Sequence, residues 1–186
     1  MERVVAVTIL VSGMVLFMAF ARRLSPRIRR AVRQMVFAVY LLGNLYVTLL
    51  SRKPEPVAHL EMELFSAYRN SFELDYGILG TIKRLLTEGF PAGIRLVTTE
   101  PLEGVILNIL LYIPMGFLLP QVIHKPRFGR VVLMGFLASL LTETVQLVFH
   151  LGWFDVDDLI NNTLGTLMGF ILFALFIKRR HRSRRV

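Results

Sequence analysis

Val131-Val-Leu-Met-Gly135-Phe-Leu-Ala-Ser139-Leu-Leu-Thr-Glu143-Thr-Val-Gln146-Leu-Val-Phe-His150 contains no lysine or arginine and one acid. As a helix rising ~1.5 Å per residue it is about 30 Å long, the thickness of a bilayer's hydrocarbon core. Read as a membrane span, it makes Glu143 the odd residue, because a carboxylate at mid-depth costs roughly 2.5–3.5 kcal/mol on insertion scales. The rest of the chain's 13 acidic residues fall in stretches read as lying outside the membrane.

Four further runs share that character: 4–21, 33–50, 104–123 and 159–177. With 54% hydrophobic residues and a mean hydropathy of +0.57, the chain reads as an all-α integral membrane protein. Five transmembrane helices in one bundle form a single domain over residues 1–186. The first run is read as a retained helix, since it is long, lacks a small-residue cleavage site and is followed at once by Arg22 and Arg23. The absence of cysteine excludes a disulfide framework, thiolate chemistry and cysteine metal ligation.

Charge orients the bundle. Arg22, Arg23, Arg27, Arg29, Arg30 and Arg33 follow the first run, and Lys125, Arg127 and Arg130 separate the third from the fourth. Lys178, Arg179, Arg180, Arg182, Arg184 and Arg185 follow the fifth. These stretches hold fifteen of the 22 basic residues and no acid, so they are read as cytoplasmic. The N-terminus, 51–103 and 151–158 are then outside and the C-terminus inside, as in a multi-pass protein of a plasma membrane. The net charge of +9 reflects a rim facing anionic lipid headgroups, with membrane lipids rather than nucleic acid as partner. In the outer segment, Leu60, Leu64, Tyr68 and Phe72, then Ile78, Leu79, Ile82, Leu85 and Leu86, predict two short amphipathic helices.

Polar residues align along the spans. Gly135, Ser139, Glu143, Gln146 and His150 share one stripe, and Asp158, Asn161, Asn162, Gly165 and Gly169 another. Gly104, Asn108, Tyr112 and Gly116 mark the third run, and Tyr40, Asn44, Thr48 and Ser51 the second. Depth counting places Glu143, Asn108 and Asn44 in the outer halves of their helices, near Asp155, Asp157, Asp158, Asn161 and Asn162. The polar groups therefore predict a pocket open to the outside, with Arg52 as its cation. A plainer account reads Asn44 and Gln146 as packing glue, Asp158 as a helix cap and the glycines as close-packing sites.

Asn108-Ile-Leu-Leu-Tyr112-Ile-Pro114-Met-Gly116-Phe-Leu-Leu-Pro120, then Glu143-Thr-Val-Gln146, then Phe154-Asp155-Val-Asp157-Asp158-Leu-Ile-Asn161-Asn162-Thr-Leu-Gly165, resemble in order and spacing the motifs of the VanZ-like membrane proteins. Arg52 also fits that pattern, and the resemblance covers residues 40–175. Two departures stand out: Gly152-Trp153 where many relatives have an arginine, and Met62–Leu64 before Phe65 where an asparagine and proline are frequent. The resemblance implies a bacterial accessory factor that lowers susceptibility to the lipoglycopeptide teicoplanin. The pocket residues allow three readings. One is a binding site for an outer-leaflet amphiphile, such as a lipoglycopeptide or lipid-linked cell-wall precursor. Another is a membrane enzyme, with Glu143 as base or with Glu143, Asp155, Asp157 and Asp158 around a divalent cation such as Mg²⁺ or Mn²⁺. The last is a proton-coupled transporter carrying its proton on Glu143.

Overall fold

The computed structural model describes residues 25–66, 86–87 and 100–182. The first apolar run and most of the two predicted amphipathic stretches lie outside these residues. Helix α1 spans Pro26–Leu45, opening with proline in its first turn, where the missing N–H costs nothing. It therefore begins earlier than the run 33–50 suggests, and Arg27, Arg29 and Arg30 are helical rather than part of a loop. The helix continues as a π-helical turn, Tyr46–Leu50, in which the Ser51 N–H reaches back five residues to the Tyr46 carbonyl at 2.8 Å. Helices α2 (Glu100–Val122), α3 (Phe128–Val148) and α4 (Val156–Arg182) follow. Among the described residues four segments are long and apolar enough to cross a membrane: Pro26–Leu50, Leu102–Val122, Phe128–Val148 and Val156–Phe176.

Glycine sets how close α2 and α4 come. A side chain at Gly165 or Gly169 would strike the Ile109 or Ile113 carbonyl, and one at Gly116 the Thr166 carbonyl. These contacts are backbone on backbone, the close approach that small residues permit where lipid supplies no hydrophobic drive. Helix α3 joins the pair through Gly135, which leaves room for the fully buried Thr166 side chain. Tyr40, Leu111, Tyr112, Met115, Leu118, Leu119 and Val131 fill the core. Leu133, Leu137, Leu141 and Val148 are exposed along the outside of α3, as a lipid-facing side requires.

Two short strands interrupt the helical pattern. β1 (His59–Glu61) pairs in parallel with β2 (Trp153–Asp155), setting His59 beside Trp153, Leu60 beside Phe154 and Glu61 beside Asp155. Leu60 thus lies on a strand and not on the expected amphipathic helix. Its four-residue spacing to Leu64 is no helical signal here, because Phe65 turns the chain with a positive φ of 61°.

Candidate functional site

The ends of the helices bring most of the expected residues together. Glu143, on the last turns of α3, is 2% exposed, and its Oε2 accepts the Asp155 N–H at 3.3 Å. Asp158, in the first turn of α4, accepts a short hydrogen bond from the Asn108 amide of α2. The Tyr112 hydroxyl lies beside Thr142 and Ser139, close to both Glu143 and Asp158. Arg52 comes from just beyond the π-helical turn and acts electrostatically on both of these carboxylates. Its guanidinium occupies the space that a side chain at Gly152 would fill. Glycine at 152 thus leaves room for the Arg52 side chain.

The acidic turn is organised by its own carboxylates. Asp155 Oδ1 accepts the Asp157 N–H at 2.8 Å, and Asp157 Oδ1 accepts the Phe65 N–H at 2.6 Å, tying the outer segment to α4. Asp157, expected among the pocket residues, is 1% exposed and makes this tie. Asp155 lies outside the membrane-spanning segments. Burial, reinforced by Asp157 and Glu61, raises its carboxyl above the usual aspartate range against the opposing N–H bonds.

Two polar arms extend from this cluster. In one, Gln146 donates to the Thr48 carbonyl at 3.0 Å, Thr48 to the Asn44 carbonyl at 2.8 Å, Asn44 to the Tyr40 hydroxyl at 3.0 Å, and Tyr40 to the Leu111 carbonyl at 3.1 Å. Asn44 therefore bonds within α1 rather than with Glu143. In the other, Asn162 donates to Ser139 Oγ at 2.8 Å, and the Thr166 hydroxyl donates to the Asn162 carbonyl at 3.0 Å. Asn161 is fully buried. Thr48 and Thr166 were not among the expected site residues. Both carried the same signal, a spacing of four residues from Asn44 and from Asn162. His150 leaves the α3 stripe, since it follows the helix with a positive φ of 54°.

Among the described residues no three carboxylates or imidazoles gather as a metal ion would need. Glu143 and Asp157 accept backbone N–H groups, Asp155 caps its own turn and Asp158 meets Asn108. The Mg²⁺ or Mn²⁺ arrangement does not fit these positions.

These features define a multi-pass helical membrane protein whose spans enclose ionisable side chains at one end of the bundle. The sequence profile of the VanZ/LLP1 family matches residues 37–177, and the chain belongs to that family. Protein VanZ of Enterococcus faecium is 31% identical over 121 residues, covering 61% of this chain and 69% of that protein. No solved structure matches the chain.

Proposed function

We propose that this protein binds the polar head of an amphiphile in the outer leaflet of a bacterial plasma membrane. The amphiphile is a lipoglycopeptide or a lipid-linked cell-wall precursor, and binding lowers susceptibility to teicoplanin-type antibiotics. The observation that carries this reading is Glu143, buried within a span and gathered with Asp158, Asn108 and Tyr112 from three helices and with Arg52 from just beyond the π-helical turn. A carboxylate held at that cost has to serve a purpose that apolar packing cannot. The cluster lies at the end of the bundle away from Arg27, Arg29, Arg30, Lys125, Arg127 and Arg130. If the basic end is cytoplasmic, with the C-terminus inside and the N-terminus outside, the cluster opens at the level of outer-leaflet headgroups. Gln146, Asn161 and Asn162 supply further hydrogen-bonding groups, and no turnover is required.

Teicoplanin susceptibility of a sensitive host expressing the chain, compared with Glu143→Ala and Asp158→Asn at matched membrane levels, tests the reading. Wild type protects and both variants fall to the empty-vector level. Equal protection by the variants removes the cluster from the function.

A further inference from the structure

We infer that the head group received by this cluster carries a protonated amine, held between Glu143 and Asp158. This rests on the reading of the cluster as an amphiphile site and narrows it to one chemistry. The first support is charge. Among the described residues, Arg52 is the cation that acts on both Glu143 and Asp158, in a place where Glu143 is 2% exposed. Buried charge is tolerated when it is matched, and an ammonium supplies a matching charge and three N–H donors. A phosphate alone would add negative charge beside two carboxylates.

The second support is independent of the acids. Gln146 and Asn162 are 1% and 3% exposed, and their side-chain carbonyl oxygens accept no hydrogen bond. Their N–H groups are spent on the Thr48 carbonyl and Ser139 Oγ. An orphaned buried acceptor costs about 1–3 kcal/mol, so the lining has room for donors. Asn162 is anchored at Ser139, where the Tyr112 hydroxyl also lies, and Gln146 follows Glu143 by one turn of α3. Asn162 likewise lies one turn beyond Asp158 on α4. Asp155, Asp158 and Arg52 are only partly buried, so an amine would approach from the acidic turn.

The test uses the purified full-length chain in detergent micelles and three probes. These are short-chain phosphatidylethanolamine, its N-acetyl derivative with identical phosphate and chains, and glycerophosphoethanolamine without chains. Binding is followed by co-elution of the probe on gel filtration and by the fluorescence of Trp153. That residue is the chain's single tryptophan, half-exposed beside the acidic turn and stacked on His59. Phosphatidylethanolamine is expected to bind at least tenfold more tightly than the N-acetyl derivative, a gap of about 1.4 kcal/mol. Glu143→Gln should abolish that preference. Equal affinity for the two lipids overturns the amine and leaves the amphiphile reading standing. Binding of neither lipid overturns the amine, and the amphiphile reading is then decided separately by the susceptibility test. Binding of the chainless probe as tightly as the lipid supports the amine but identifies its source as a soluble molecule.

Discussion

The seam between α2 and α4 and the cluster around Glu143 join helices by opposite means. In the seam, Gly116, Gly165 and Gly169 remove side chains so that backbones touch. In the cluster, Glu143, Asp158, Asn108 and Arg52 reach across gaps and join through charge and hydrogen bonds. The seam contains nothing that could recognise a ligand, and the cluster contains little that packing alone would choose. The proposed function therefore separates from stability by position, and substitutions can show whether that separation holds.

Gly169→Leu should have the largest effect. A side chain there meets the Ile113 carbonyl, the Gly116 Cα and the Phe117 N–H, all backbone that cannot yield locally. A loss of about 3 kcal/mol is expected from such overpacking, read as a lowered unfolding temperature and reduced monodisperse recovery in detergent. An unchanged unfolding temperature would show that the seam is not tight.

Glu143→Gln should invert that result. Glutamine retains an oxygen for the Asp155 N–H, so the folded state should change by less than about 1 kcal/mol while protection of the host disappears. A collapse in stability would make Glu143 a structural residue and join the two regions into one.

Gly152→Ala tests a finer division. The added methyl would displace the far end of the Arg52 side chain, which is flexible, so stability should move by no more than about 0.5 kcal/mol. Binding of the head group should weaken about tenfold if the guanidinium's position matters, equivalent to about 1.4 kcal/mol.

The smallest effect is expected at Asp155. Its carboxyl binds a proton more tightly in the folded chain than in the unfolded one, because burial disfavours the charged form. Stability should therefore fall as pH rises from the ordinary aspartate value through the raised one, and Asp155→Asn should lack that step. Asparagine keeps an oxygen for the Asp157 N–H. Thermal unfolding followed across the acidic range measures the difference.

The membrane spans and the buried stripe were legible in the sequence because lipid enforces both. The expected runs 104–123, 131–150 and 159–177 overlie α2, α3 and α4 with shifts of a few residues, and Ser139, Glu143 and Gln146 are buried as their spacing requires. What could not be read were contacts without a period. The pairing of His59–Glu61 with Trp153–Asp155 joins segments nearly a hundred residues apart through backbone groups common to every sequence. The π-helical turn at Tyr46–Leu50 has no distinguishing composition, yet it sets the Thr48 carbonyl that Gln146 meets. Asp157 looks in sequence like its acidic neighbours, and only the position of Phe65 assigns it to an anchoring bond.

The order of these elements along the chain also decides how Glu143 enters the bilayer. Asp155 and Asp158 follow Glu143, so α3 leaves the ribosome before the Asp155 N–H can reach its carboxylate. Its apolar residues must carry the carboxylate in unaided. At about 0.3–0.6 kcal/mol per leucine, valine or phenylalanine, roughly six of them offset an acid at mid-depth. Leu133, Phe136, Leu137, Leu140, Leu141, Val145 and Leu147 provide that many, so the apolar residues of α3 are also the vehicle that delivers its one acid.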